Sequence, residues 1–185
     1  MITSTITRSL HDLGLSTWFG GTLANAVALN PAAGQAGDDR ATGRVANAGW
    51  DAWTPVNAAA IGIHLIGSVG QLIDNRDRLT TQDGVATMAA VKTGLTTAAL
   101  AATAYSRMLG RTVSEHRDVP ADSGTSPSFQ TPPAVAKAQQ QLRVLQWVIP
   151  ALTGALVVVS ALAGEQQRPA SVASGVTRRL AHLVG

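Results

Sequence analysis

One ionisable residue, His64, lies near the middle of a long uncharged segment and is the first candidate for chemistry. The run from Ala52 to Ile73 contains no Asp, Glu, Lys or Arg. An imidazole in such a run can ligate a haem iron, relay a proton or contact a quinone. A neutral histidine that is hydrogen-bonded inside a helix bundle is the alternative, and we favour it.

Haem held between helices usually needs a second imidazole at a matched depth, and the sequence offers none. His11 lies at the start of the first apolar segment, His116 in a polar loop and His182 in the C-terminal tail. His64 is therefore the only candidate cofactor-binding residue, and we expect no bound cofactor.

Amides make the apolar segments unusually polar. Asn25 and Asn57, with His64, predict a polar interior, and several threonines lie in the same segments. These side chains can line a small hydrophilic path, or they can form hydrogen bonds between helices. Lys92 is the one charge in its apolar segment, about two turns inside it, and can extend its ammonium towards the membrane surface.

Motifs of enzyme chemistry are absent from the sequence. It has no glycine-rich phosphate loop, no histidine pair at metal-ligand spacing, no paired carboxylates inside an apolar segment and no nucleophile-elbow serine. We expect no catalytic residue and no metal site.

Small residues recur every four positions in two of the apolar segments. Such a stripe lets helix backbones approach closely, which promotes helix association in lipid. It predicts either a docking face for another protein or copy, or packing among this chain's own helices, and we favour the latter. The helix-packing candidates are Ser16, Gly20, Ala24 and Ala28 in one segment and Ala90, Gly94, Ala98 and Ala102 in the other.

Four long apolar runs position these residues. A helix needs roughly 20 apolar residues to cross a bilayer, and we predict spans at about 10–30, 53–73, 84–108 and 142–165 within a single membrane domain, 1–185. The polar turn at 74–78 predicts an antiparallel hairpin of the second and third spans. Residues 110–132 are predicted to form a polar loop that is a candidate for disorder, and the tail at 168–185 a short interfacial helix.

Composition excludes several classes of protein. Without cysteine the chain has no disulfides and no thiolate sites. The formal charge is +3, but the basic residues are scattered and form no stripe with aromatics, so we expect no nucleic-acid partner. They also divide equally between the two sides of the predicted arrangement, which gives no orientation signal. The even number of spans favours two cytoplasmic termini.

Three segments resemble small four-span membrane proteins that are common in actinobacterial genomes. They are residues 15–21 (LSTWFGG), 45–50 (VANAGW) and 53–57 (WTPVN). This resemblance implies an integral membrane location and carries no activity and no functional residue.

Together these observations predict an all-α, four-span bundle in the cell membrane. We expect a non-catalytic structural or accessory subunit that packs in a larger membrane assembly or in a homo-oligomer, with the lipid bilayer around it. A small transporter or channel with a polar interior is one alternative. A haem- or quinone-binding subunit centred on His64 is the other.

Overall fold

Helices make up most of the protein. The computed structural model describes residues 2–82, 84–116 and 119–165. In chain order the elements are α1 (Ile2–Ala24), a π-helical turn (Asn25–Leu29), α2 (Asn30–Ala33), α3 (Asp39–Asp74), α4 (Arg76–Thr81), α5 (Val85–Ser114), β1 (Ala121–Ser123), β2 (Ser126–Pro127) and α6 (Pro133–Glu165).

Three of these helices, α3, α5 and α6, are long and apolar enough to cross a membrane. By length and composition the chain is therefore a multi-pass membrane protein, as predicted. The first predicted span, 10–30, falls in α1 and the π-helical turn. α1 is not among the three, because Arg8, His11, Asp12 and several hydroxyl side chains dilute its apolar character.

The long helices extend well beyond the predicted spans. α3 begins at Asp39, far before residue 53, and Asp38 caps it by accepting a 2.7 Å hydrogen bond from the Ala41 N–H. This bond holds the pKa of the Asp38 carboxyl below its ordinary value. α6 begins at Pro133, as the proline predicts.

Helix α1 packs along α3 and more lightly along α6, and α5 packs mainly on α6. Although the short element α4 joins α3 to α5, these two helices make few direct contacts and a groove lies between them. The predicted hairpin of the second and third spans thus has its short connection but no tight packing.

Residues 119–132 form a small cap over one end of the helices. β1 and β2 pair antiparallel, and Ala121 is 1% exposed. A Cβ added to Gly43 of α3 would lie 2.6 Å from the Val119 carbonyl oxygen. The cap is ordered, unlike the disordered loop that its composition predicts. Because Gly43 has no side chain, the backbone of the cap packs directly on α3. The predicted interfacial helix at 168–185 lies outside the described residues.

Candidate functional site: a buried histidine pair and an adjoining groove

Two glycines allow the backbones of α1 and α3 to touch where the helices cross. A Cβ on Gly14 would lie 2.4 Å from the Ala60 carbonyl oxygen. A Cβ on Gly67 would lie 2.2 Å from the backbone nitrogen of His11. No side chain larger than hydrogen fits at either position without a shift. This close crossing brings the His11 and His64 imidazoles together.

The histidine pair, defined here as His11 and His64, lies inside the α1–α3 contact. The two side chains are 1% and 0% exposed, and their ring centroids are 4.6 Å apart at an interplanar angle of 49°. His64 Nδ1 lies 3.3 Å from the His11 carbonyl oxygen, and the Trp18 ring packs beside it with centroids 6.1 Å apart.

The expectation that no second imidazole lies at the depth of His64 is wrong. Because α1 begins at Ile2, its first turns lie beside the end of α3, and Thr7 Oγ1 donates a 3.0 Å hydrogen bond to Asp74. His11 is one turn further along α1 than Thr7. Because α1 and α3 are antiparallel, His11 therefore lies at the level of His64.

A carboxylate extends the pair towards the surface. His11 Nδ1 lies 2.8 Å from Asp12 Oδ1, and Asp12 lies 4.0 Å from Arg8 Nε. A carboxylate beside an imidazole fixes the tautomer and orientation of the ring. The Ser68 hydroxyl donates to the His64 carbonyl oxygen at 2.8 Å and is 3.5 Å from His64 Nε2, so it is already engaged. The arrangement positions buried protons and presents no activated nucleophile.

The close crossing of α1 and α3 encloses the His64 imidazole. One face of its imidazole packs on His11, its Nδ1 faces a carbonyl oxygen, and the contacts of Gly14 and Gly67 close the helix pair on both sides. A macrocycle would need α1 and α3 to separate. In the described part of the chain, no group of three His, Asp or Glu side chains is placed to hold a metal ion.

The predicted polar interior is discontinuous. Asn57 is 9% exposed and lies two turns before His64 on α3, which is about 10 Å along the helix. Asn25 is half-buried in the π-helical turn. Within residues 2–82, 84–116 and 119–165 no hydrogen bond joins any two of these three, and Asn25 Nδ2 and Asn57 Oδ1 have no hydrogen-bond partner.

Most residues of the predicted small-residue stripes face away from the described part of the chain. A Cβ on Gly20 or Gly94 would meet no atom within 4 Å. Their interpretation as packing among this chain's own helices is therefore wrong, because Gly14, Ala60 and Gly67 form that contact instead; the docking face stays a prediction. Seven of the eight residues are exposed, and the eighth, Ala102, is half-buried: Ser16, Gly20, Ala24, Ala28, Ala90, Gly94, Ala98 and Ala102.

Sequence reasoning missed the role of Asn30, which lies at the end of the first predicted span. The Asn30 side chain is 2% exposed, donates to Gln146 Oε1 at 2.8 Å and accepts from Trp50 Nε1 at 3.0 Å. Its carbonyl oxygen accepts from the Gly124 N–H at 3.2 Å. One residue thus joins α2, α3, α6 and the cap. An Asn-Pro pair is equally typical of a turn, so no signal in the sequence distinguishes this role.

The groove between α3 and α5 has a volume of about 360 Å³. We call it the seam groove. Its walls are largely aliphatic. In the part of the chain that the structure describes, its polar lining includes Ser68, Gln71, Arg78 and Lys92 but no acidic residue. The Gln71 Nε2 atom is buried and has no hydrogen-bond partner. Lys92 interacts electrostatically with Asp12, which connects the seam groove to the surroundings of the histidine pair.

Comparisons with known proteins neither support nor contradict these interpretations. No protein-family model, curated protein or solved structure matches this chain. The resemblance to actinobacterial four-span proteins therefore stays a prediction.

Proposed function

We propose that this chain is a non-catalytic, four-span protein of the cell membrane that packs against other transmembrane helices, in a larger assembly or with a second copy of itself. The outward direction of the two small-residue stripes carries the proposal. The chain closes its own α1–α3 crossing with one set of small residues, Gly14, Ala60 and Gly67, and leaves a second set outside.

Helix α5 supports this role because it has so little cover. Only 6% of its most apolar window is buried, and α6 is its main neighbour. Lipid tails cover such a surface without selectivity, whereas a row of small side chains also lets another helix approach to backbone contact. Gly94 lies on this open side of α5.

In this proposal α1 is the fourth span. Together with the π-helical turn and α2 that follow it, α1 extends along α3 from the Thr7–Asp74 hydrogen bond at one end to the hydrogen bonds of Asn30 at the other. Because α3 is long and apolar enough to cross a membrane, a segment paired along it over this length would cross the membrane with it. We propose that both termini are cytoplasmic.

The closed interior disfavours the transporter alternative. The backbones of α1 and α3 touch at Gly14 and Gly67, and the amides of Asn25 and Asn57 share no hydrogen bond. A water-filled path past His64 would require these helices to move apart.

Leucine substitutions in the stripes test the proposal. Gly20→Leu and Gly94→Leu add side chains into open space, so the chain's own fold tolerates them, but they hold a docked helix away. We expect the share of the chain that co-purifies in a fixed ratio with a partner, or as a stable oligomer, to fall by about tenfold or more after mild-detergent extraction.

Gly62→Leu is the matched control. A Cβ on Gly62 also meets nothing within 4 Å, but Gly62 lies on α3, outside both stripes. The assembly should survive this change. A wild-type chain that runs as a monomer with no partner in fixed ratio, or an assembly unaffected by the stripe variants, would refute the proposal.

A further inference from the structure

We propose that the seam groove binds one anionic phospholipid, with the phosphate near Lys92 and Gln71 and one acyl chain along the deeper wall. This inference rests on the groove alone and is independent of any docking partner.

The groove changes character along the membrane normal in the way that a phospholipid does. Arg78 and Gln71 lie at the end where α3 and α4 meet, and Lys92 is seven residues into α5, about 10 Å from its start. The lining continues to Leu100, about 22 Å from the start of α5, and to Leu65 on α3. Among the described lining residues, cationic and amide groups thus lie only towards the surface, and the deeper lining has aliphatic and hydroxyl side chains.

The charges of the lining select an anion. Among the described residues, two basic side chains and no acidic one line the groove. Arg78 is held there by hydrogen bonds to Asn75 and Gln82. In the part of the chain that the structure describes, no carboxylate lies within 4 Å of the Lys92 ammonium; Asp12 acts on it from a greater distance and does not line the groove. A phosphate would supply the missing close counter-ion.

Gln71 adds a second, uncharged observation. Its Nε2 atom is buried and has no hydrogen-bond partner. Its side chain lines the groove, and Gln71 is three residues before Asp74, where α3 ends. A buried amide donor without an acceptor is costly, and a phosphate oxygen would satisfy it.

The deeper wall is built to face hydrocarbon. The hydroxyls of Thr93 and Thr97 donate to the carbonyl oxygens of Ala89 and Thr93, each at 2.9 Å. Because these hydroxyls are already satisfied inside α5, the threonines do not compete for polar partners. Leu65, Val69 and Leu100 complete an aliphatic surface.

The size of the groove favours a lipid over a protein helix. Its 360 Å³ is close to the lower limit of small-molecule pockets, roughly 300 Å³. An α-helix with its side chains is about 10–12 Å across and would have to push α3 and α5 apart. A single acyl chain is much thinner and needs no such movement.

Native mass spectrometry of the full chain in a neutral detergent tests the proposal. The probes are phosphatidylglycerol and phosphatidylcholine with the same acyl chains, and inorganic phosphate. We expect one phosphatidylglycerol to be retained with about tenfold preference, the effect of one charge-assisted hydrogen bond. Lys92→Met should abolish the preference and Lys92→Arg should keep it.

Lys137→Met is the control, because Lys137 is exposed on α6 and is the only other lysine of the chain. Ala89→Phe is a second test that fills the groove and leaves both basic residues in place, and it should also release the lipid. Far-UV circular dichroism checks that each variant keeps its helices.

Four outcomes would overturn the proposal. The first is equal retention of the two lipids, and the second is a preference that survives Lys92→Met. The third is displacement of the lipid by inorganic phosphate alone, which would indicate a site for a free anion. The fourth is binding that appears only when the chain is truncated after Glu165, which would indicate that its own C-terminal segment occupies the groove.

Discussion

At the residue scale, the α1–α3 crossing depends on the side chains that Gly14 and Gly67 lack. Both glycines face backbone atoms of the opposite helix, which cannot rotate away as a side chain does. The close approach also buries both imidazoles, so the same glycines determine the environment of His11 and His64. We propose a structural role for His64, whose Nδ1 faces the backbone carbonyl oxygen of His11.

Gly14→Ala should destabilise the protein. The new Cβ would meet the Ala60 carbonyl oxygen at 2.4 Å, and relief of such overpacking typically costs about 1–3 kcal/mol. Titration into a denaturing detergent, followed by far-UV circular dichroism, measures the change in the free energy of unfolding.

Gly20→Ala is the control on the same helix, where a Cβ meets nothing within 4 Å. Alanine favours a helix over glycine by up to about 1 kcal/mol, so this variant should be neutral or slightly more stable. Equal effects of the two changes would contradict the close crossing.

The register of the two helices is what sequence reasoning could not supply. Apolar runs identify which residues are helical, but they do not say which residues of separate helices meet. His11 and His64 are 53 positions apart, and their contact depends on where α1 begins. Asn57, by contrast, lies on the same helix as His64, two turns away, so its place on the His64 face follows from the helical period alone.

At the element scale, α3 is much longer than a bilayer requires. Its 36 residues extend about 54 Å, whereas the hydrocarbon core is about 30 Å thick. A span prediction stops at charged residues such as Asp51 and Arg44, but a helix continues past them once it leaves the hydrocarbon. The apolar core of the helix was therefore predictable, and its beginning at Asp39 was not.

The N-cap of α3 should make stability depend on pH. The Ala41 N–H favours the ionised Asp38, so the pKa of this carboxyl is lower in the folded than in the unfolded chain. The cap therefore stabilises the fold fully above the unfolded pKa, about 4, and this contribution is lost as the pH falls through the folded pKa.

Asp38→Asn keeps a capping side chain without its charge, and Asp38→Ala removes the cap. The difference in thermal midpoint between wild type and Asp38→Asn should shrink as the solution is acidified below about pH 4. A difference that stays constant over this range would show that the ionised carboxylate contributes nothing.

At the scale of the whole molecule, the packing is closed on one side and open on the other. α1 contacts both α3 and α6, and α6 contacts α5, but α3 and α5 diverge around the seam groove. The cap of residues 119–132 lies at the end where Asn30 joins the helices. The two ends of the molecule therefore differ: one is held by a polar network, and the other carries the opening of the groove.

Single-cysteine labelling tests the four-span arrangement, and the natural chain contains no cysteine to interfere. If α1 crosses the membrane beside α3, Thr5→Cys and Asp77→Cys should react with an impermeant reagent from one side. Gln35→Cys and Phe129→Cys should react from the other side. All four parent side chains are exposed.

Reaction of Thr5→Cys and Gln35→Cys from the same side would show that α1 lies on the membrane and does not cross it. Comparison of intact with permeabilised cells also gives the orientation, and we expect Thr5→Cys to react only after permeabilisation.

The hydrogen bonds of Asn30 cannot all form until late in the synthesis of the chain. Its partners lie 20 positions later at Trp50 and 116 positions later at Gln146. At a ribosomal rate of about 5–20 residues per second, roughly 6–23 s pass between the synthesis of Asn30 and that of Gln146. During that interval the Asn30 amide must remain hydrated or be shielded by the insertion machinery, so the end of the bundle that it joins is completed last.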